Sequence, residues 1–134
     1  MRSDWRDARA ALRIVLVGLG ISFGAGCGPS ADFETFMRTP LPGHVTVRHM
    51  DGNWGADPWR CWEIYPADQD LKRTLVTTWK LVPNPKAFNG VASGEHIYCR
   101  YDNLSESYSG ESDSYRAVGI DATKNVMLVY FYNG

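Results

Sequence analysis

Three histidines, a run of acidic residues and a set of tryptophans and tyrosines are the side chains of this 134-residue chain whose chemistry could do more than fold it. A metal site needs several nitrogen, sulfur or carboxylate ligands converging on one ion. His44 and His49 are five apart on one expected strand, so they point to opposite faces, and His96 follows Glu95 on a different element. No metal-ligand spacing results. Asp102, Asn103, Glu106, Glu111 and Asp113 offer the oxygen ligands calcium prefers, but without the alternating spacing of an EF-hand, and the segment from Asp102 to Ser114 reads as a solvated loop. Sugar hydrolysis needs two positioned carboxylates, and Glu63 is the only acid in the interior of an expected strand, Asp121 standing at the end of another. No G-x-S-x-G elbow occurs beyond Cys27. Ile14 to Gly20 has the strand and glycine turn that open a dinucleotide site. Phe23 stands where the third glycine would be, and Pro29 interrupts the helix that should follow. The sequence therefore points to no catalytic constellation and to no cofactor.

The aromatic side chains are the better lead. Flat indole and phenol faces stack on sugar rings and also anchor protein interfaces. Trp54 and Trp59 lie in or beside a Gly-rich loop, and Tyr65 and Tyr101 belong to the same expected sheet face; these four form a candidate ligand or partner surface. The alternative is that they cover the sheet as packing. A net charge of -1 gives no electrostatic footprint for a phosphate backbone, which excludes nucleic acid as a partner.

The N-terminus carries an address. Arg2, Arg6, Arg9 and Arg13 precede an apolar and glycine stretch from Ile14 to Gly26, and then comes Cys27. This is the layout of an export signal, too short between Arg13 and Cys27 for the roughly 20 residues that a helix needs to span a bilayer. The residues Gly24-Ala25-Gly26-Cys27, followed by Gly28-Pro29-Ser30, resemble the lipobox of bacterial lipoproteins, with Gly24 where an aliphatic residue is usual. The resemblance implies that residues 1–26 are a signal peptide, that Cys27 is lipidated as the mature N-terminus, and that the protein is held on a bacterial envelope membrane.

With Cys27 acylated, Cys61 and Cys99 remain as an even set in a compartment where disulfides persist. Their separation is too long for a CxxC motif. The choices are one disulfide or two buried thiols, and the disulfide is favoured.

The elements that must position these groups follow from periodicity. Hydrophobic residues at 44% and aromatics at 13% suffice for one core. Residues 27–35 read as a flexible tether, and 36–134 as a single α+β domain. Strands are expected at His44–His49, Trp59–Tyr65, His96–Tyr101, Tyr115–Asp121 and Val126–Tyr132. One helix starts at Asp68, carries Leu71, Leu75, Val76 and Trp79 on one stripe, and ends by Leu81 before Pro83. The expected fold is one antiparallel sheet of about five strands, in the order β-β-α-β-β-β, with the helix on the face of Val45, Val47, Trp62, Ile64, Val118 and Ile120. The aromatic face opposite must be covered by loops or by a partner. The W-x-I-Y-P segment at Trp62 and the Tyr-rich last strand resemble small uncharacterised domains of bacterial exported lipoproteins, a resemblance that implies no activity. The function expected is a non-enzymatic, lipid-anchored protein that presents a binding domain to an envelope protein or glycan. The alternative is a secreted glycan- or peptidoglycan-binding module.

Overall fold

The computed structural model describes residues 28–53, 55, 58–89, 99 and 101–133. They divide into two units, one ending at Thr35 and one beginning at Phe36. Helix α1 (Pro29–Met37) runs across that division. It opens on a proline, which loses nothing at the first helical position because that N–H has no partner there. The Asp32 amide donates to the Gly28 carbonyl at 2.9 Å, and the Thr35 hydroxyl to the Ala31 carbonyl at 2.9 Å. Most of the segment expected as a tether is thus helical, and the helix after Asp68 is one of two among the described residues. Cys27 and the signal-like residues 1–26 lie outside the described residues.

The second unit is α+β, with a single open antiparallel sheet. Its elements are β1 (Thr46–Asn53), β2 (Trp59–Tyr65), α2 (Gln69–Trp79), β3 (Val82–Pro83), β4 (Glu106–Glu111), β5 (Tyr115–Asp121) and β6 (Val126–Tyr132). The spatial order is β1-β2-β6-β5-β4-β3. The sheet therefore has six described strands where about five were expected, in a different order. Two strands separate α2 from β5. β4 falls inside the segment read as a solvated loop. Its sequence, ESYSGE, lacks apolar alternation, and it forms because the turn at Ser112–Ser114 folds it back along β5 from Tyr115 to Ile120. Of the expected strand His96–Tyr101, residues 96–98 and 100 lie outside the described residues, and Cys99 and Tyr101 are in irregular backbone.

Directly opposed residues of an antiparallel pair share a face. The register Arg60↔Phe131↔Arg116, Trp62↔Val129↔Val118 and Ile64↔Met127↔Ile120 defines the first face. Helix α2 lies on it: the Trp79 ring stacks on the Arg116 guanidinium at 3.5 Å, and Lys72 Nζ reaches Glu106 at 3.1 Å. Of the expected apolar set, Trp62, Ile64, Val118 and Ile120 are buried here, Val45 is buried just ahead of β1, and Val47 is half-buried. Both ends of α2 are closed. Asp68 Oδ1 accepts from the Leu71 N–H at 2.7 Å, which satisfies a donor that the first turn leaves open. At the other end Lys80 adopts the left-handed conformation (φ 54°), and the N–H groups of Lys80 and Leu81 return to the carbonyls of Thr77 and Val76.

Cys61, Tyr130 and Ala117 align on the opposite face. The chain after β3 covers it. Ala87, Phe88, Cys99, Tyr115, Ala117, Val126, Leu128 and Tyr130 form a buried cluster, against which Trp59, Tyr101 and Leu104 pack. Gly119 makes the room: a Cβ there would lie 2.6 Å from Leu104 and 3.1 Å from Phe88. The Cys61–Cys99 disulfide, with its Cα atoms 5.7 Å apart, fastens this covering segment to β2. In the chain-entropy description a loop of 38 residues closed this way stabilises the fold by about 4 kcal/mol. Loops therefore cover the aromatic face. With both faces covered, β5 is buried throughout and β6 up to its last residue. Among the described residues, no helix is long and apolar enough to cross a membrane.

Candidate functional site

The aromatic residues singled out by the sequence do not form one platform. Trp59 and Tyr65 stand at opposite ends of β2, about 20 Å apart at roughly 3.3 Å per residue. Trp59 is half-buried against the cluster on the covered face. Tyr65 is exposed, and the Arg48 guanidinium lies 4.9 Å from its ring centre while donating to Glu63 at 2.6 and 3.0 Å. Trp54 lies outside the described residues. Tyr101 borders a cavity.

That cavity is a cleft of about 250 Å³ beside the start of β4. β3 pairs only with Tyr108 and Ser109, after which the chain turns away through Asn84 and Pro85. Pro83, Pro85, Tyr101, Leu104 and Tyr108 give the cleft its apolar surface, and Asn84, Asp102, Ser105, Glu106 and Ser107 its polar one. Glu106 is the best-held group. Its Oε1 accepts from the Tyr108 hydroxyl at 2.8 Å and from Lys72 Nζ at 3.1 Å, and its Oε2 from Gln69 Nε2 at 3.2 Å. The hydrogen bond from Tyr108, with those from Lys72 and Gln69 and the Lys72 charge, outweighs burial and lowers the carboxyl pKa. Burial acts against the Lys72 ammonium, but the Glu106 contact and charge prevail and its pKa is raised.

The Tyr101 hydroxyl donates to Asp121, and that bond, reinforced by burial and by the Asp121 and Glu63 charges, pushes the phenol up to about 12. The same bond, with the Lys124 and Thr123 amides, lowers Asp121. Near neutral pH, Glu106 is therefore ionised and Tyr101 is protonated. Neither group is poised to give or take a proton.

A second cluster lies on the helix-covered face. Arg116, with its side chain 3% exposed, donates to Asp113 at 2.9 Å and to the Phe36 carbonyl at 3.1 Å, between the rings of Trp79 and Phe131. The Arg60 guanidinium lies over Phe36 at 4.7 Å and bonds the carbonyls of Asn53 and Trp59. This alternation of guanidinium groups and rings fastens Phe36 to Arg38 onto the sheet. It is interior packing.

The acidic residues considered for calcium are dispersed: Glu106 is held by Lys72, and Asp113 by Arg116 and Arg38. Among the described residues, no three His, Cys, Asp or Glu side chains converge to hold a metal. Sequence reasoning missed Lys72, Tyr108 and Asp121, and met Glu106 only as an oxygen ligand in a solvated loop. Lys72 and Glu106 are 34 residues apart, and no spacing joins them. A scan against protein-family models, a search of curated proteins and a search of solved structures each find no match.

Proposed function

We propose that this chain is a non-enzymatic, lipid-anchored protein of the bacterial cell envelope, exported by residues 1–26, acylated at Cys27, and presenting the unit from Phe36 onward as a binding domain. The observation that carries the reading is the Cys61–Cys99 pair. With those two bonded, Cys27 is the one cysteine left of three, and it sits where the lipobox resemblance puts the acylated residue. A structural disulfide in a small domain also fits an oxidising compartment. Acyl chains contribute about 0.8 kcal/mol per buried CH2, so two or more hold a protein on a bilayer without a spanning helix.

Metabolic labelling with a radioactive fatty acid, combined with fractionation, tests the proposal. The natural chain should incorporate label and sediment with membranes, and Cys27→Ser should do neither. Unchanged fractionation of the variant would remove the anchor from the reading.

A further inference from the structure

We propose that the domain stands on its membrane with the β4–β5 turn end of the sheet toward the lipid headgroups and the β5–β6 turn end pointing away. The inference rests on the anchor at Cys27 and deepens that reading by naming the surface that meets the bilayer.

The first argument is where the chain enters the domain. Arg116 donates to the Phe36 carbonyl at 3.1 Å, Trp79 Nε1 donates to the Met37 carbonyl at 3.0 Å, and the Arg38 guanidinium lies 5.5 Å from the Trp79 ring centre and 3.7 Å from Asp113. These contacts hold Phe36 to Arg38 at one end of the sheet. The register sets Arg116 level with Arg60, Phe131 and Gly110, one residue in from the terminal row Trp59↔Tyr132↔Tyr115↔Glu111. Lys80 belongs to the same end, because its carbonyl lies 3.6 Å from where a Gly110 Cβ would stand. The exposed residues Ala122–Asn125 turn the chain at the other end, beyond the pair Asp121↔Val126. From Tyr115 to Asp121 the sheet measures about 20 Å at roughly 3.3 Å per residue.

The second argument is reach. Phe36 comes nine residues after Cys27, and seven of those nine steps lie in α1. At about 1.5 Å per helical residue and at most about 3.6 Å per extended one, the entry point is held within about 18 Å of the acylated residue. That is less than the length of the sheet, so the end that receives Phe36 stays beside the lipid and the opposite end is displaced from it. Charge does not set this orientation. Beside the entry, exposed Arg38 and Lys80 are matched by exposed Glu111 and Asp113, and a balanced surface gains little from anionic headgroups. The tether sets it. The exposed Tyr65, with Arg48 and Glu63, and the cleft beside Glu106 lie at the far end, and so face away from the bilayer.

Fluorescence quenching on vesicles tests the inference. The acylated protein, purified from membranes, carries one maleimide dye, either on Ser112→Cys at the near turn or on Thr123→Cys at the far turn, both exposed positions. The vesicles contain a lipid with a nitroxide on its headgroup. The dye on Ser112→Cys should be quenched about twofold more than the dye on Thr123→Cys, because about 20 Å of sheet separates the two turns. The difference should persist in zwitterionic phosphatidylcholine and in about 1 M salt, where the Debye length is about 3 Å. Inserting about 20 Gly and Ser residues between Gly28 and Pro29 leaves the unit from Phe36 onward unchanged and adds roughly 25 Å of reach. The two dyes should then be quenched nearly alike. Equal quenching on the natural tether, or stronger quenching at Thr123→Cys, overturns the proposal. A difference that survives the lengthened tether overturns it too, since a contact surface rather than the entry point would then orient the domain, and so does a difference abolished by salt. Every measurement is made on protein that pellets with the vesicles, so a failed anchor is read as loss from the pellet, separately from orientation.

Discussion

Asp68 holds His44 with the same carboxylate that caps α2: one oxygen accepts from the Leu71 amide and the other contacts His44 Nε2. The approach to the sheet is thereby tied to the first turn of the helix, 24 residues later. The Leu71 amide, and then His44, hold the Asp68 pKa below its ordinary 3.8. A carboxylate whose folded pKa is depressed contributes stability that is present above its unfolded pKa and is lost as pH falls through the folded one. Glu106 and Asp121 are lowered as well, so the three act in the same direction.

Urea unfolding should therefore show a stability plateau above about pH 5 and a decline below pH 4. Asp68→Ala should cost about 1 kcal/mol at pH 7, the usual value of a helix cap, and should flatten the acid decline. An acid limb of unchanged slope in that variant would dissociate the cap from the pH response.

Tyr101 gives the opposite limb. Its phenol is raised to about 12 by the bond to Asp121. Raised in the folded state, it stabilises fully below the unfolded value near 10, and that contribution is lost as pH rises through about 12. In an absorbance titration of phenolate formation, the highest-pH component should disappear in Tyr101→Phe. Persistence of that component would assign it to another tyrosine.

The sheet-forming segments that alternate apolar residues were legible before the structure was known. Trp62 and Ile64 face the helix with Val118 and Ile120, and the Asp68 cap and the Leu71–Leu75 stripe stand where spacing put them. β4 was not legible, because a strand near a sheet edge whose own residues, ESYSGE, are mostly polar carries no period-2 signal. Its serines and Glu106 are satisfied by Asn84, Lys72 and Gln69, partners distant in sequence. The same reason hid the cleft. Helix α1 was hidden by composition, since Gly, Pro, Ser and Asp near a terminus read equally as a tether and as a helix start. Arg116 was hidden inside a strand whose neighbours are apolar, where only the rings above and below explain a buried guanidinium.

Lys80 occupies a position made for glycine. Its φ of 54° places a Cβ in the left-handed region, which costs a branched or long side chain roughly 1 kcal/mol relative to glycine. Lys80→Gly should therefore raise unfolding stability by about 0.5 to 1 kcal/mol, less any loss through the added freedom of the unfolded chain. A destabilised variant in equilibrium unfolding would show that the Lys80 side chain contributes more than the backbone strain it carries.

The interface between α2 and the sheet can be tested with two substitutions two residues apart. Leu75 is fully buried, four residues after Leu71 and four before Trp79, on the side of the helix that presses on the sheet. Leu75→Ala removes three carbons and leaves a cavity that close-packed neighbours fill only in part, so it should cost about 2 to 5 kcal/mol. Thr77 lies on the exposed side, and Thr77→Ala should stay within about 0.5 kcal/mol. The comparison is internal, because both variants share the helix, its two caps and the unfolded chain. Any general loss of helicity would affect both alike, and only burial separates them. Equal stabilities in urea unfolding would mean that α2 adds no packed interface to the domain, and the disulfide-fastened face would then have to supply most of its stability.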